Sequence, residues 1–335
     1  MTQLFSLIFP RNRLLPILLA VVILTGCLPA APEATPIPTV TSAPRSTPTA
    51  TRTPSITPTP SPAIKRILIL SLDGFRPDAI AAAPMPALQA VMDTSAYSLT
   101  AQTILPSATL PAHASMLTGM CPAKTGVDWN YLDLSLGYAP DPSLFSLAHA
   151  AGLQTVMLVG KEKLVQVTDP ANVDSFTFVR DRDVVITRSL LDNFPDDFGI
   201  LFVHFPTPDD MGDTYGWMSW EYLNVLQQAD EAIASILRTL DDKGLRDETL
   251  VIVTADHGGH DFSHYTELPA DMTIPWVISG PGVVPGELTV PINTTDTAAT
   301  AAWALGYDLP SEWDGIPVYE AFGQVSPERP DPRCP

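Results

Sequence analysis

The chain has 335 residues, and 45% of them are hydrophobic, which is enough for a sizeable core in one large or two small domains. Its formal net charge is −19, so the surface repels the phosphate backbone of nucleic acids and argues against a stable nucleic-acid partner. Its three cysteines form no CxxC pair, which excludes a thiolate zinc site.

The N-terminal segment has the pattern of a lipoprotein signal. Arg11 and Arg13 precede an apolar stretch that is too short to span a bilayer comfortably. That stretch runs into Leu24-Thr25-Gly26-Cys27, which resembles a bacterial lipobox, whose cysteine is diacylated and becomes the new N-terminus. The sequence therefore predicts a signal peptide over residues 1–26 and a lipid anchor on Cys27, which holds an exported protein on the extracytoplasmic face of the cell membrane.

A linker follows the predicted anchor. Residues 27–63 are dominated by Pro, Thr, Ser and Ala and have no periodic apolar face, so they cannot bury a core. Because Pro-rich segments are extended and semi-rigid, we expect a disordered tether between the membrane and a catalytic domain over residues 64–335. In an exported domain, Cys121 and Cys334 form either a disulfide or two free thiols.

The folded part alternates between two kinds of segment. Five apolar runs predict buried strands: residues 66–72, 155–159, 200–205, 250–254 and 274–279. Three stretches between or after them have helical spacing: residues 143–151, 217–242 and 296–305. This alternation predicts an α/β fold with a largely parallel central sheet and helices on both faces.

Acidic side chains follow three of the predicted strands. Asp73 follows the first strand, a cluster that includes Asp209 and Asp213 follows the third, and Asp256-His257 follows the fourth. The carboxyl ends of parallel strands meet at one edge of the sheet, where the active sites of such folds lie. Carboxylates gathered there repel each other without cations, and oxygen ligands with imidazole suit Zn²⁺ or Mn²⁺.

A candidate nucleophile precedes Pro111. Residues 106–115 have the pattern of a strand-to-helix turn, and Pro111 fits the first turn of the helix. The hydroxyl of Thr109 would then lie at a helix N-terminus, where free N–H groups favour an anion, so Thr109 is well placed to attack phosphorus. The alternative is a threonine that only caps the helix.

Three motifs together resemble the type I phosphodiesterase/nucleotide pyrophosphatase family, which belongs to the alkaline phosphatase superfamily. They are Leu70-Ser71-Leu72-Asp73-Gly74-Phe75-Arg76-Pro77-Asp78, Thr109-Leu110-Pro111-Ala112-His113 and Ala255-Asp256-His257-Gly258-Gly259. The resemblance covers residues 64–318 and is specific, because the order and the spacing of the motifs match together. It implies an alkaline-phosphatase-like fold and the hydrolysis of small phosphoester or phosphodiester substrates on two divalent metal ions, zinc or manganese.

The resemblance also implies a role for each matching residue. One metal site uses Asp73, Asp256 and His257, with Thr109 as catalytic ligand, and the other uses Asp209, Asp213 and His264. Asn130 falls where the family places an amide on a phosphate oxygen. His260 is the alternative to His264 as a ligand. His113 is expected to be structural, and His204 is expected to support a ligand from behind.

The sequence departs from the family in two places. Asp213 stands where the family usually has histidine, which leaves the identity of the metal open; we expect Gly212 to permit a tight turn that brings Asp209 and Asp213 onto one ion. Only a short stretch separates His257 from His264, so the cap over the substrate is expected to be small or absent.

The implied mechanism passes through a phospho-threonine on Thr109. A sulfatase is disfavoured, because residues 109–113 lack the C/S-x-P-x-R pattern. A phosphomonoesterase or a phosphonate-ester hydrolase on the same site remains an alternative, as does a non-catalytic lipoprotein that binds phosphorylated ligands. Lys161, in Gly160-Lys161-Glu162-Lys163, could reach the substrate, but it is interpreted as part of a solvated charge run.

Overall fold

The structure, a computed structural model, describes residues 64–330 and Cys334, which lie in one unit of the chain, Ile56–Pro335. The signal peptide, the acylated Cys27 and the tether predicted over residues 1–63 lie outside the described residues. Among the described helices, none combines the length and the apolar character needed to cross a membrane.

The described residues contain eight strands and ten α-helices. The strands are β1 (Arg66–Leu72), β2 (Ala96–Gln102), β3 (Gln154–Val159), β4 (Ser175–Phe178), β5 (Phe198–Phe205), β6 (Thr249–Thr254), β7 (Thr273–Ser279) and β8 (Gly286–Glu287). The helices are α1 (Ala79–Ala82), α2 (Pro86–Asp93), α3 (Thr109–Thr118), α4 (Pro122–Thr125), α5 (Leu144–Ala150), α6 (Asp183–Asp192), α7 (Thr207–Tyr215), α8 (Trp220–Asp242), α9 (Pro269–Met272) and α10 (Asp296–Ala304).

The strands form one sheet in the order β4-β3-β5-β1-β6-β7-β2-β8. Strand β1 pairs in parallel with β5 and β6, and β3 pairs in parallel with β4 and β5. Strand β7 runs antiparallel to both of its neighbours, β6 and β2. The predicted α/β fold with a largely parallel sheet is therefore confirmed.

Each of the five predicted strands is present. They could be predicted because continuous apolar runs are typical of strands buried on both faces. Strands β5 and β6 are buried along their whole length, and β1 is buried except at its first residue. The sequence did not predict β2, β4 and β8, since β2 alternates between buried and more exposed positions and β8 has only two residues.

The helices form two groups on the sheet. Helices α2, α6 and α7 pack against α8, whereas α3 and α5 pack against α10. Helix α3 is buried at all ten positions, including the first turn, which begins with Thr109. Helix α8 begins three residues later than predicted, because the hydroxyl of Ser219 caps it by accepting a hydrogen bond from the Tyr222 amide.

The two cysteines of the described domain form a disulfide. The Cα atoms of Cys121 and Cys334 lie 5.3 Å apart, and the bridge packs against Ile104 and Ala112. Of the two alternatives left open by the sequence, the structure therefore has the disulfide. It ties the segment after α3 to the C-terminal tail, where the buried Arg329 also pairs with Asp296 at 2.9 Å.

Candidate active site

Three strand ends deliver the acidic side chains to one edge of the sheet. Asp73 directly follows β1, Asp256 lies two residues beyond the end of β6, and Asp209 lies in the first turn of α7, just after β5. Thr109 is the first residue of α3 and Ala108 is its N-cap, so the threonine begins the helix and does not cap it. All four side chains are buried.

Asp73, Asp256 and His257 form the first group of donor atoms. His257 Nε2 lies 3.3 Å from Asp73 Oδ1 and 3.4 Å from Asp256 Oδ2. The other Asp256 oxygen accepts hydrogen bonds from the amides of Gly74 and His257, at 3.0 and 2.9 Å. His257 Nδ1 donates to the Gly258 carbonyl at 2.8 Å, which leaves Nε2 as the nitrogen that faces the carboxylates.

Asp209 and His264 form a second group, which also includes His257. His264 Nε2 lies 3.7 Å from Asp209 Oδ1, and His264 Nδ1 donates to the Ser107 carbonyl at 2.6 Å. Burial and the neighbouring His257 lower the pKa of His264 to about 4, so its imidazole is neutral and able to ligate a metal.

The structure brings His264, and not His260, to this group. His260 Nδ1 lies 2.7 Å from Asp271 Oδ1, and the other Asp271 oxygen accepts from the Thr266 amide and hydroxyl. His260 is therefore engaged away from the donor atoms.

The donor atoms fit a cation. Asp73 Oδ1, Asp209 Oδ1, Asp256 Oδ2 and His257 Nε2 are buried, and within the described part of the chain none of them has a hydrogen-bond partner. Buried polar atoms are normally satisfied, and divalent cations are partners that carboxylate oxygens and imidazole nitrogens readily accept. The residues therefore fit the metal ions that the family resemblance implies.

The charges of this cluster depend on one another. Burial and the neighbouring Asp73 raise the pKa of Asp256 to about 8. Burial lowers the pKa of His257, but Asp256 and Asp73 raise it to about 10. Burial raises the pKa of Asp73, but Lys161, His204 and His257 hold it well below its ordinary value. Protons thus supply positive charge that a metal ion would replace.

Asp213 does not belong to either donor group among the described residues. It is exposed, one helical turn beyond Asp209 in α7. The tight turn predicted at Gly212 is wrong, because Gly212 lies inside this helix. A β-carbon at Gly212 would lie 2.6 Å from the ring of Trp217, so this glycine instead permits close packing of the helix against the indole.

Lys161 lies inside the cluster, against its preferred interpretation from the sequence. It follows β3 by two residues, and its ammonium lies 2.6 Å from Asp73 Oδ2, 2.5 Å from Asp209 Oδ2 and 3.4 Å from Thr109 Oγ. Burial lowers the pKa of Lys161, but Asp209 and Asp73 raise it well above its ordinary value. Its interpretation as a solvated charge is wrong, although its position after a predicted strand was a usable signal.

Asn130 lies beside the first turn of α3. Its Oδ1 accepts from the Leu110 amide at 3.0 Å and from Lys163 Nζ at 2.7 Å, and its Nδ2 donates to the Tyr265 hydroxyl at 2.8 Å. The Tyr265 ring stacks on His264, with ring centroids 3.8 Å apart. Burial and Lys161 lower the pKa of Lys163 to about 8.

The two remaining buried histidines form hydrogen bonds to residues of the cluster or to the strand and helix that carry them. His204 Nε2 donates to Asp73 Oδ2 at 2.9 Å, the position expected from the sequence. His113 Nδ1 donates to the Thr109 carbonyl at 2.7 Å, and its Nε2 lies 2.8 Å from Ser71 Oγ, as expected for a structural residue.

The fold and this cluster define an alkaline-phosphatase-like α/β protein with candidate metal ligands at the carboxyl edge of its sheet. The family model described as "Type I phosphodiesterase / nucleotide pyrophosphatase" matches residues 67–274. The chain belongs to that family.

Individual relatives are distant. A bis(5'-adenosyl)-triphosphatase of Xenopus laevis is 23% identical over 215 residues, which cover 58% of this chain but only 47% of that protein. Murine ectonucleotide pyrophosphatase/phosphodiesterase 5, solved as an inactive variant in complex with AMP, has a TM-score of 0.61 at 14% identity and covers 73% of this chain and 96% of its own. A phosphonate monoester hydrolase from Silicibacter pomeroyi has a TM-score of 0.62 at 16% identity, with coverage of 78% and 77%.

Proposed function

We propose that the chain is a metal-dependent phosphoester hydrolase of the phosphodiesterase or nucleotide pyrophosphatase type. One observation carries the proposal: four buried donor atoms that have no hydrogen-bond partner among the described residues converge beside a threonine that begins a buried helix. In an ordinary buried ion pair these oxygen and nitrogen atoms would have hydrogen-bond partners. A threonine with only a structural role would not require metal-type donor atoms beside it.

Thr109 is the proposed nucleophile. Asp73, Asp256 and His257 would hold a divalent ion, zinc or manganese, which would supply Lewis-acid stabilisation to a phosphoryl oxygen and favour the alkoxide of Thr109. The Thr109 oxygen bonds to phosphorus, and the leaving group departs with the electrons of the broken ester bond. Water then cleaves the phospho-threonine and restores the hydroxyl.

The other residues of the site would bind and orient the substrate. The N-terminus of α3 favours negative charge near Thr109. Asn130 holds the Leu110 amide, and its own amide nitrogen would exchange the Tyr265 hydroxyl for a phosphate oxygen. The second ion that the family resemblance implies would need Asp209 and His264, and Asp213 would have to turn inward to complete its ligands.

A phosphomonoesterase or phosphonate-ester hydrolase is the second candidate. Two ammonium groups, those of Lys161 and Lys163, lie at the site of a strongly acidic chain. Such a pair favours the dianionic group of a phosphomonoester over the monoanionic group of a diester, whereas a phosphonate ester carries the same single charge as a diester. The fold of the phosphonate monoester hydrolase is also similar.

Turnover of three substrates tests these alternatives. The full chain, loaded with Zn²⁺ or Mn²⁺, is compared on bis(p-nitrophenyl) phosphate, p-nitrophenyl phosphate and p-nitrophenyl phenylphosphonate, with a chelated sample and Asp256→Asn as controls. We expect the diester to be hydrolysed fastest and the rate to fall in both controls. Faster cleavage of the monoester or the phosphonate would favour the second candidate, and the absence of any metal-dependent hydrolysis would leave a binding protein.

Export and lipid anchoring at Cys27 are also proposals. The disulfide between Cys121 and Cys334 supports them, because structural disulfides persist in oxidising compartments outside the bacterial cytoplasm.

A further inference from the structure

Lys161 occupies a position between the two groups of donor atoms. Its ammonium contacts one oxygen of Asp73 and one oxygen of Asp209, at 2.6 and 2.5 Å, and these are not the oxygens that face the donor groups. The side chain is only 17% exposed and lies 3.4 Å from Thr109 Oγ. A buried ammonium thus joins both groups and the proposed nucleophile.

The donor atoms suffice for one complete metal site. Both donor groups include His257, but its Nδ1 already donates to the Gly258 carbonyl, so only Nε2 is available and it can bind only one ion. If His257 completes the group of Asp73 and Asp256, the second group keeps only Asp209 and His264 among the described residues. Zinc sites in proteins normally have at least three protein ligands.

The charge of the cluster also favours a single ion. The fully or nearly buried carboxylates of the cluster are those of Asp73, Asp209 and Asp256, which together carry three negative charges. One divalent ion and the Lys161 ammonium neutralise them, whereas a second divalent ion would leave two positive charges in a buried site. Uncompensated buried charge is costly.

We propose that this centre holds a single divalent ion, at Asp73, Asp256 and His257, and that the Lys161 ammonium takes the place of a second ion. The proposal rests on the proposed function, since the same ion is the one beside Thr109. Lys161 acts as a fixed cation: it holds Asp209 against Asp73 and supplies positive charge beside the oxygen that attacks phosphorus.

Metal stoichiometry tests the proposal directly. The untagged full chain is stripped with a chelator, titrated with Zn²⁺ by calorimetry, and its bound zinc is measured after dialysis. We expect one equivalent for the wild type and two for Lys161→Met, because loss of the ammonium frees one oxygen each of Asp73 and Asp209. Asp73 can then share a second ion with Asp209 and His264, which gives that ion three protein ligands. Lys163→Met is the matched control, since it removes a neighbouring ammonium that contacts Asn130 and should keep one equivalent.

Two further variants keep the test decisive if Lys161→Met does not fold. His264→Ala and Asp213→Ala should each keep one equivalent, whereas a two-ion centre that used these residues as ligands would lose one. Two equivalents in the wild type, or one in a folded Lys161→Met, would overturn the proposal. A chain that binds one ion but hydrolyses no phosphoester would refute the proposed function and leave this inference intact.

Discussion

Thr109 differs from an ordinary helix-capping threonine in what surrounds it. It is buried as the first residue of α3, after the N-cap Ala108, and its hydroxyl lies 3.4 Å from Lys161 Nζ. We expect Thr109→Ala to lose several orders of magnitude in turnover of the diester, because covalent catalysis is removed, and Thr109→Ser to retain part of it. Steady-state rates of the metal-loaded full chain measure both. Near-normal turnover by the alanine variant would remove Thr109 from the mechanism.

Asp183 gives the protein a predictable dependence on pH. Burial raises the pKa of this carboxyl to about 7, although the Thr207 amide and hydroxyl donate to it. An unfolded Asp titrates near ~4, so the folded state holds an extra proton between about pH 4 and pH 7. The contribution of Asp183 to stability is therefore complete below pH ~4 and is lost as the pH rises to about 7.

Asp183→Asn should remove the loss of stability that accompanies the rise in pH. Its amide keeps an oxygen for Thr207 but never ionises, so the variant should be more stable than the wild type at pH 8 by up to ~4 kcal/mol and nearly equal to it at pH 4. Urea unfolding of the full chain at both pH values measures the difference. The same difference at both values would show that the effect has another cause.

At the scale of elements, Trp217 helps to position Asp209, because its ring packs against Gly212 in the same helix, α7. The indole packs against Gly212 and Gly259 and donates to the Gly74 carbonyl at 3.0 Å. Alanine normally stabilises a helix interior relative to glycine by about 1 kcal/mol. Gly212→Ala should instead lower the free energy of unfolding by ~1–3 kcal/mol, because its methyl group overlaps the indole.

A double-mutant cycle with Trp217→Leu checks the cause of that loss. In the Trp217→Leu background, Gly212→Ala should cost nothing or should stabilise the protein, since the ring that it meets is gone. Additive losses in the two backgrounds would mean that the helix and the indole are not coupled in this way.

The sequence predicted the elements that rest on local patterns. The continuous apolar runs of β1, β5 and β6 predicted buried strands, and the parallel arrangement then placed Asp73 and Asp256 at one edge. Lys161 could not be assigned in this way. A lysine between a glycine and a glutamate looks solvated, and its burial depends on the pairing of β3 with β5, next to β1, which the sequence does not state.

The local chemistry of the site was also only partly predictable. The family motifs indicated His257 and His264, and the structure brings both to the donor groups. The role of Gly212 was not predictable, because it depends on where the Trp217 ring lies after folding. For Asp213, the sequence predicted a turn that would bring it to the same ion as Asp209, whereas the structure has both on α7, and which side chain faces the cluster depends on how that helix packs.

At the scale of the whole molecule, the lipobox predicts where the protein resides. Expressed in a bacterial host, the full chain should partition into detergent and carry acyl chains on Cys27, because two acyl chains give stable membrane binding. Cys27→Ser should lose the acyl chains and move to the aqueous phase or stay unprocessed. Cys121→Ser is the control, since it removes the disulfide but not the anchor. Processing and membrane binding of Cys27→Ser at the wild-type level would contradict the anchor.

Acid-quenched mapping of the phosphorylated residue tests the central claim most directly. The metal-loaded full chain is mixed with bis(p-nitrophenyl) phosphate, quenched within the first turnover and digested, and its peptides are analysed by mass spectrometry. We predict a p-nitrophenyl phosphoryl group on the peptide that contains Thr109, formed as p-nitrophenolate leaves, and no adduct on Thr109→Ala or on the chelated chain. Steady hydrolysis with no adduct on Thr109, at a rate that Thr109→Ala matches, would contradict the account.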